Sequence, residues 1–374
     1  MRHEPSSIRI WTVPGERLFA GERISNAVEA LNRGDILILK NGLQAVNLWD
    51  EGCEILRKSL RKIVGRDRAR FVEGVGLEHL HHHLSPDETA QFNDLAHERY
   101  NRWTRKMVPI LVREGIGYDG PGFFDRNAVI RFFLPHSDYV AGKSAFEKRP
   151  GYTKPQGLHI DSWFGHATAG LNFWIALRPV RRGHGLAIYP DKWGKPFLRG
   201  ADTKPADYSG MGYPITFDLD VGDTLVFHGE HVHSSELNST ELTRVVLTNR
   251  FCVTQPILTE KESMAQWERL PKARPARQKE LQQLGTSQTA GEFRASYTSP
   301  DSEASIEVVD AAWCRVRYGG VSRTVGRFCT HEGADLSCGY LQNGRLYCPF
   351  HHLHFDPATG KAPHDGFKPL KMPA

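Results

Sequence analysis

The feature that most constrains this chain is a pair of short metal-ligand motifs near its C-terminal end. Cys329 and His331 form a C-x-H motif, and after sixteen residues Cys348 and His351 form a C-x-x-H motif. Two thiolates and two imidazoles can hold a [2Fe–2S] cluster, with the cysteines on one iron and the histidines on the other. Such mixed ligation raises the reduction potential to roughly −150 to +300 mV, against about −400 mV for plant-type ferredoxins. The sequence therefore predicts a one-electron centre.

Tetrahedral zinc is the alternative occupant of two cysteines and two histidines. Zinc sites usually space both halves as short C-x-x-C or H-x-x-x-H pairs, and the GADLS run at 333–337 has no reason to accompany them. The surrounding residues read CTHEGADLS at 329–337, NGRL at 343–346, CPFH at 348–351 and FDP at 355–357. Over about residues 305–370 they resemble the Rieske ferredoxin and Rieske oxygenase family. The resemblance implies a small all-β domain whose cluster is held by Cys329, His331, Cys348 and His351.

Two departures from the family pattern concern the subtype and the end of this domain. No cysteine follows His331 as in the respiratory-chain Rieske proteins, so we expect no disulfide across the cluster loops and favour the oxygenase or ferredoxin subtype. The chain stops at Ala374, where the family usually adds one or two strands. We interpret this as a domain that is trimmed or completed by its neighbour.

Length and composition leave room for a second, larger domain and carry little sign of a membrane or nucleic-acid partner. The chain has 374 residues, enough for two domains. It has no run of about eighteen apolar residues, and its N-terminus lacks the apolar core of a signal peptide. The net charge of +5 is mild for this size. Because the six cysteines lack disulfide-framework spacing, we expect a cytoplasmic location.

Hydrophobic patterning predicts helices early in the chain and strands in its middle. Helices are predicted at 24–34, 45–65 and 86–114, and a buried strand at 35–40. Short apolar segments with turn signals then suggest a β-sandwich or barrel, with strands at 128–134, 171–177, 185–189, 213–219, 224–227 and 245–253. The basic, proline-interrupted segment at 255–300 predicts a linker with a helix around 260–269.

A second set of possible metal ligands lies among the predicted strands. His159 and Asp161 form an H-x-D pair, and His233 follows about seventy residues later. Two imidazoles and one carboxylate form the facial triad of non-haem Fe(II) oxygenases. The pair alone is weak, since a core histidine and a turn aspartate give the same pattern. Its context is GLHIDSW at 157–163, NFWIAL at 172–177 and GDTLVFHGEHVHSSELNS at 222–239.

Over about residues 125–254 these segments resemble the phytanoyl-CoA dioxygenase-like branch of the Fe(II)/2-oxoglutarate-dependent oxygenases. The resemblance implies a double-stranded β-helix, the jelly-roll or cupin-like core, with Fe(II) and the co-substrate 2-oxoglutarate. The family places an arginine about eleven residues after the third iron ligand. His233 and Arg244 have that spacing, whereas His228 and His231 do not.

The resemblance also implies roles for residues around the iron. In the family the arginine pairs with the distal carboxylate of 2-oxoglutarate, for which the bidentate guanidinium of Arg244 is suited, and Ser235 assists it. Arg131 is a weaker candidate for a contact with 2-oxoglutarate or a substrate anion, and a rim salt bridge is an equal alternative. Asn172 is expected to line the pocket. Halogenases of the family have a small residue at the position of Asp161, so hydroxylation, desaturation or ring closure is expected here.

Together the two resemblances predict a mainly β protein with flanking helices. Residues 1–254 are expected to form the oxygenase domain, with a helical N-terminal part and the jelly-roll core at about 125–254. Residues 255–300 are the predicted linker, and residues 301–374 the predicted Rieske domain. The expected reaction is oxidation of a small-molecule substrate by O2, with the cluster transferring electrons to the mononuclear iron.

Two alternatives stay open, because 2-oxoglutarate itself supplies the two electrons that such a reaction needs. A Rieske-type oxygenase would draw its electrons from a reductase without 2-oxoglutarate, although Arg244 argues against this. A redox carrier or sensor with degenerate sites is the other alternative. The expected electron donor is a ferredoxin or flavin reductase. Electron transfer within one chain and between subunits of a homo-oligomer are both compatible with the sequence.

Overall fold

The computed structural model describes residues 8–19, 22–146, 155–258, 264–273, 276–298, 304–363 and 366–373. These residues form a mainly β protein with a layer of helices on one face of its largest sheet. A small set of strands follows at the C-terminal end. The predicted fold class is confirmed. No helix of the described residues is long and apolar enough to cross a lipid bilayer.

The strands of the described residues are β1 (Arg9–Val13), β2 (Glu22–Ile24), β3 (Ile36–Leu39), β4 (Phe123–Asp125), β5 (Val129–Phe133), β6 (Leu171–Ala176), β7 (Leu186–Ile188), β8 (Ile215–Thr216), β9 (Thr224–His228), β10 (His233–Ser235), β11 (Arg244–Cys252), β12 (Trp267–Arg269), β13 (Arg277–Lys279), β14 (Thr286–Thr289), β15 (Ser305–Val308), β16 (Trp313–Tyr318), β17 (Val321–Gly326), β18 (Tyr340–Gln342), β19 (Arg345–Tyr347) and β20 (His354–Phe355). The helices are α1 (Gly15–Phe19), α2 (Ala27–Asn32), α3 (Gly42–Ala45), α4 (Trp49–Val64), α5 (Arg66–Val75), α6 (Pro86–Ile110), α7 (His136–Ala141), α8 (Lys143–Phe146), α9 (Leu281–Leu284) and α10 (Ala290–Ala295).

Two sheets form the jelly-roll core. The major sheet has the order β12-β4-β11-β6-β9-β3-β1-β14, with β5 also paired to β11, and the minor sheet has the order β10-β7-β8. His159 lengthens the minor sheet, because it exchanges both backbone hydrogen bonds with His233 at 3.0 Å each. Two of the three predicted iron ligands are therefore fixed side by side by backbone pairing.

Alternation of side chains along β6 shows how the layers are arranged. Phe173 and Ile175 pack into a core shared with the helices, whereas Trp174 and Ala176 pack into a core between the two sheets. Successive residues of a strand point to opposite faces, so one strand serves both layers. The inner face of the major sheet therefore looks towards β10 and His159.

The longest helix, α6, begins where the sequence predicts it. The Ser85 hydroxyl accepts from the Glu88 amide at 3.2 Å, and the Glu88 carboxylate accepts from the Ser85 amide at 2.8 Å, which completes a capping box. The helix packs on α4, where the Tyr100 hydroxyl donates to the Gly52 carbonyl oxygen at 2.8 Å. Helices at 24–34 and 45–65 were also predicted, and they occur as α2 and α4.

The segment after β11 differs in part from the prediction. Trp267–Arg269 forms β12 on β4, where a helix around 260–269 was predicted; that helix is wrong for these residues, and 259–263 lie outside the described residues. Further on, β13 pairs with β2, and β14 pairs with β1. Edge strands and their partners are far apart in sequence, which is why a local pattern does not show the pairing.

The C-terminal strands form two three-stranded sheets, β15-β16-β17 and β18-β19-β20. Asn343 and Gly344, both at positive φ, form the tight turn between β18 and β19. The core of these strands continues into the outer face of the minor sheet through Leu158, Val232 and Leu237. The two parts of the chain therefore share one apolar core at this contact.

Candidate metal centres and co-substrate site

The structure brings His159, Asp161 and His233 together in a buried group. His159 is held by its pairing with β10, Asp161 begins the 3-10 turn Asp161–Phe164, and His233 begins β10. The Nε2 atoms of His159 and His233 lie 4.0 and 3.9 Å from Asp161 Oδ1. All three residues are at least 95% buried. Their ligand atoms lie close enough together to bind one metal ion.

Backbone carbonyl groups fix the orientation of both imidazoles. His159 Nδ1–H donates to the Gly157 carbonyl oxygen at 2.7 Å, and His233 Nδ1–H donates to the His231 carbonyl oxygen at 2.8 Å. A carbonyl oxygen can only accept, so Nδ1 carries the proton on both rings. Each Nε2 therefore presents its lone pair towards Asp161, as metal ligation requires.

Two cross-strand neighbours hold the Asp161 carboxylate. Asn172 of β6 and Arg250 of β11 are paired directly opposite each other. Asn172 Nδ2 donates to Asp161 Oδ2 at 2.7 Å, and Arg250 Nε approaches the same oxygen at 3.4 Å. The pairing register aims both donors at one carboxylate from the major sheet.

The charge states of the three residues suit a metal site. Burial lowers the pKa of His159 and of His233, so both rings are neutral. Burial alone would raise the pKa of Asp161, but the neighbouring groups, Arg250 foremost and the surrounding histidines after it, together outweigh burial and the pKa lies well below its usual value. A neutral imidazole and an ionised carboxylate are the forms that bind a cation.

Close packing against Asp161 requires a glycine in the turn before β10. A Cβ on Gly229 would lie 2.8 Å from Asp161 Oδ2. The Asp161 amide also donates to the Gly229 carbonyl oxygen at 2.9 Å. His231 in the same turn is fully buried and its Nε2–H donates to the Gly34 carbonyl oxygen at 2.8 Å, so its ring points away from the group. His228 contacts the Trp193 ring edge-to-face instead.

Arg244, at the start of β11, is a buried cation beside this group. Its NH1 group donates to the carbonyl oxygens of His184 at 2.8 Å and of Gly185 at 2.6 Å. Its NH2 group approaches the Ser235 hydroxyl at 3.4 Å. Among the described residues, its Nε has no hydrogen-bond partner. Burial, helped by the nearby charge of Arg131, lowers the pKa of Arg244 to about 9.

In the part of the chain that the structure describes, no carboxylate forms a close ion pair with Arg244. Arg131 of β5 donates to Gln156 Oε1 at 2.9 Å. Glu236 is also buried, and its Oε2 accepts from the Gly185 amide at 3.0 Å. Burial raises the pKa of Glu236 to about 7. A second positive charge and a weakly acidic glutamate favour an anionic ligand at Arg244.

The C-terminal motif residues lie in two facing loops. The loop between β17 and β18 carries Cys329 and His331, and the loop between β19 and β20 carries Cys348 and His351. The two thiols interact with each other, and the two imidazoles meet edge-to-face with ring centroids 5.0 Å apart. None of the six cysteines, all within the described residues, forms a disulfide. Paired thiols beside paired imidazoles suit a [2Fe–2S] cluster with mixed ligands.

Sequence reasoning named most, but not all, of the residues in these sites. The predicted residues His159, Asp161, His233, Arg244, Ser235, Arg131 and Asn172 all lie on or beside the inner face of the two sheets. Asn172, expected to line the pocket, donates to Asp161. Arg250 and Gly229 were missed. A charged residue within the strand predicted at 245–253 was the available signal for Arg250.

Two family models match the chain. The model described as phytanoyl-CoA dioxygenase (PhyH) matches residues 50–246, which is more than half of the chain. The model described as Rieske [2Fe-2S] domain matches residues 292–370. The two matched segments contain the triad group and the facing cysteine–histidine loops respectively.

Individual proteins match over shorter stretches or at low similarity. The chain is 50% identical over 34 residues to the ferredoxin component of the naphthalene 1,2-dioxygenase system of Pseudomonas putida, covering 9% of this chain and 33% of the ferredoxin. The chain thus spans about a third of that relative's length. The non-haem alpha-ketoglutarate-dependent epimerase SnoN from nogalamycin biosynthesis is 17% identical, over 63% of this chain and 81% of its own, with a TM-score of 0.33. A complex of oxygenase and ferredoxin in carbazole 1,9a-dioxygenase is 30% identical, over 21% of this chain and 82% of that one, with a TM-score of 0.17.

Proposed function

Because the chain belongs to the phytanoyl-CoA dioxygenase family and carries a Rieske [2Fe–2S] domain, we propose that it hydroxylates, desaturates or cyclises a small molecule. The protein is an oxygenase whose cofactors are Fe(II), the co-substrate 2-oxoglutarate and a Rieske cluster. We further propose an oxygenase domain at 1–254, a linking segment at 255–300 whose strands β12, β13 and β14 pair with that domain, and a Rieske domain at 301–374. A cluster held by the Rieske domain would supply electrons to iron held by the oxygenase domain.

We assign the mononuclear iron to His159, Asp161 and His233. When bound there, Fe(II) with 2-oxoglutarate and O2 supplies a two-electron oxidation of a C–H bond, and 2-oxoglutarate becomes succinate and CO2. The chain's part is to hold the ligands. The carbonyl groups of Gly157 and His231 keep the Nδ1 protons in place, so both Nε2 atoms are ready to bind.

The observation that carries the proposal is the environment of Arg244. Arg244 is 1% exposed, its hydrogen-bond partners are carbonyl and hydroxyl oxygens, its guanidinium lies over the rings of Phe133 and Trp174, and its Nε has no hydrogen-bond partner among the described residues. A buried charge without a close counterion is costly, so a ligand carboxylate is favoured there. The distal carboxylate of 2-oxoglutarate would accept from Arg244 and from the Ser235 hydroxyl, and Arg131 adds attraction for the dianion.

The residue at position 161 limits the type of reaction. Asp161 keeps a carboxylate at the metal and is held by Asn172 and Arg250. An iron ion held by these three protein ligands would keep coordination positions free for 2-oxoglutarate and O2. A reaction that begins with removal of a hydrogen atom, and not halogenation, is therefore proposed.

We assign the Rieske cluster to Cys329, His331, Cys348 and His351. The cluster would provide electrons that 2-oxoglutarate does not supply. If 2-oxoglutarate were consumed without oxidation of the substrate, iron held by the triad would be left oxidised, and the cluster would supply, one at a time, the electrons that return it to the ferrous form. We propose a ferredoxin or flavin reductase as the donor to the cluster. The potential range of such clusters, roughly −150 to +300 mV, suits this transfer.

The proposal is tested by anaerobic titration of Fe(II)-loaded protein with 2-oxoglutarate while the cluster is kept reduced. We expect a visible charge-transfer band that saturates with 2-oxoglutarate. In Arg244→Ala, binding should weaken by roughly tenfold to a hundredfold, because a hydrogen bond to a charged group is lost. Arg244→Lys should retain part of the affinity, since it keeps the charge but not the fork.

The matched control is Arg113→Ala. Arg113 is also a buried arginine that donates to backbone carbonyl oxygens, those of Tyr118, Gly120 and Pro271, but it lies away from the triad. This variant should bind 2-oxoglutarate as the unmodified protein does. Absence of binding at millimolar 2-oxoglutarate in well-metallated protein would instead support an oxygenase driven by a reductase.

A further inference from the structure

The Rieske domain covers the outer face of the minor sheet, directly behind the triad. Along β10, His233 and Ser235 face the inside of the jelly-roll, where they meet Asp161 and Arg244. Ser234 between them must face outwards, because successive strand residues alternate. Its side chain is nevertheless fully buried, since the loop after Cys348 lies over it.

A hydrogen bond between two side chains joins the two metal-binding segments at this point. The Ser234 hydroxyl lies 2.7 Å from His352 Nε2, and the Tyr340 hydroxyl lies 3.1 Å from His352 Nδ1. The imidazole is therefore fixed at both nitrogens. Ser234 directly follows the iron ligand His233, and His352 directly follows the cluster ligand His351. Each partner is one peptide bond away from a ligand of one centre.

The backbone of His352 supports a specific role for this contact. Its φ is +59°, a left-handed conformation that few residues other than glycine adopt. Such strain persists only where the surroundings enforce it, and it is frequent at functional sites. Here the residue that adopts this conformation is the one whose ring contacts Ser234 of β10.

Neighbouring contacts hold the two segments in register. The Leu237 amide donates to the His351 carbonyl oxygen at 2.8 Å. The Phe350 ring packs on Gly157, where a Cβ would lie 2.1 Å from the ring. On the other side of the cluster, the His331 ring meets the His136 ring of α7 with centroids 5.7 Å apart. Both histidines assigned to the cluster therefore lie against the oxygenase domain of their own chain.

We propose that the Ser234–His352 hydrogen bond carries electrons from the Rieske cluster to the mononuclear iron within a single chain. The inference rests on the proposed function, and it names the route and the residues. One electron leaves the reduced cluster, which returns to its oxidised form, and ferric iron at the triad becomes ferrous. The cluster is reduced again by an external one-electron donor, a reduced flavin or ferredoxin. The path from the cluster ligand His351 to the iron ligand His233 then consists of covalent bonds and one hydrogen bond, with no jump through space.

The first test follows the cluster itself and not product formation. Full-length protein with ferric iron at the triad is kept anaerobic, the cluster is reduced by a flash-generated flavin radical, and its visible absorption is followed. We expect first-order reoxidation in the unmodified protein and at least severalfold slower reoxidation in Ser234→Ala. Ser234→Thr, which keeps the hydroxyl, should restore most of the rate. Redox-inert zinc at the triad should abolish reoxidation.

The matched control is Tyr189→Phe. The Tyr189 hydroxyl donates to the Pro349 carbonyl oxygen at 3.3 Å across the same interface, but it is not part of the connection between His233 and His351. This variant should reoxidise its cluster at the unmodified rate. The cluster potential of each variant is measured in parallel, so that a changed driving force is not mistaken for a broken route. An unchanged rate in Ser234→Ala at unchanged potential overturns the proposal.

A second test asks whether the electron stays in one chain. Protein with Cys348→Ser, which lacks the cluster but holds ferric iron, is mixed with protein carrying His159→Ala, which lacks the triad but holds a reduced cluster. We expect the cluster to stay reduced in the mixture. Rapid reoxidation would show transfer between chains and would overturn the proposal. Neither test contains 2-oxoglutarate or substrate, so failure here is distinct from failure of the 2-oxoglutarate titration.

Discussion

At the scale of single residues, Arg250 and Asn172 determine how firmly Asp161 is held. Both donate to its carboxylate from neighbouring strands. Replacing either by an apolar residue, in Arg250→Met or Asn172→Leu, should lower metal affinity by about 10- to 100-fold, as is typical for residues that orient a metal ligand. Metal affinity is measured by anaerobic titration with Co(II), whose visible bands report occupancy of the triad.

The control for the arginine is again Arg113, as Arg113→Met. Both substitutions remove a buried guanidinium, but only Arg250 contacts a ligand of the triad. Loss of stability with unchanged Co(II) affinity is expected in the control. Equal Co(II) affinities in Arg250→Met, Asn172→Leu and Arg113→Met would mean that the orientation of Asp161 does not limit metal binding.

Glu236 gives a pH dependence with a definite sign. Burial raises its pKa from 4.5 to about 7. Between these values the folded protein keeps a proton that the unfolded chain has released, so the free energy of unfolding falls as pH rises through this window and stays lower above it. Glu236→Gln removes the ionisation but retains an oxygen to accept from the Gly185 amide.

The expected result is that Glu236→Gln gains stability relative to the unmodified protein as pH rises from about 5 to about 7.5. Denaturant unfolding at a series of pH values measures this difference. The exposed residue Glu16 supplies the control, because Glu16→Gln changes no buried carboxyl group. A difference that is flat across the window would contradict the raised pKa.

The sequence could name the candidate ligands because their chemistry is visible in residue type and spacing. His159, Asp161 and His233 stand out by the H-x-D pair and by the distance from His233 to Arg244. Arg250 could not be named, because its role depends on the register between β6 and β11. A shift of one residue would turn its side chain to the opposite face.

At the scale of elements, the turn between β9 and β10 is shaped to fit Asp161. A Cβ on Gly229 would lie 2.8 Å from Asp161 Oδ2. Gly229→Ala should therefore displace the carboxylate, lower metal affinity and cost roughly 1–3 kcal/mol of stability, the usual range for overpacking. Gly74→Ala in α5 is the control, since its added Cβ meets nothing within 4 Å. Retained Co(II) affinity in Gly229→Ala would show that the turn can adjust.

Strand prediction succeeded where side chains alternate or are continuously apolar. The segments predicted between residues 128 and 253 occur as β5, β6, β7, β8, β9 and β11. The short strand β10, with the sequence HSS, lacks an apolar pattern, and its partners are set by pairing with β7 and His159. The helix predicted around 260–269 is wrong at Trp267–Arg269, because pairing with β4 overrides local preference there.

At the scale of the whole molecule, the two faces of β10 connect the two parts of the chain. The inner face carries His233 and Ser235, and the outer face carries Ser234 beneath His352. The sequence predicted both metal-binding sites but not this contact, because hydrophobic patterning does not report which surfaces of two domains meet. Ser234 lies on the outer face of β10 in the minor sheet. It is buried because the Rieske domain covers that face.

The shared core predicts how loss of the cluster would affect the oxygenase part. Leu158, Val232 and Leu237 of the jelly-roll pack with residues of the Rieske domain. Metal binding contributes directly to the folding of small metal-binding domains, so Cys348→Ser should loosen the Rieske domain and uncover the outer face of the minor sheet. Hydrogen exchange should then accelerate in β7 and β10 but not in β3 or β6, which lie in the major sheet. The control is Cys53→Ser, in α4 away from the cluster, which should leave hydrogen exchange in all four strands unchanged. If exchange in β7 and β10 did not accelerate in Cys348→Ser, the minor sheet would be stable without the Rieske domain over it.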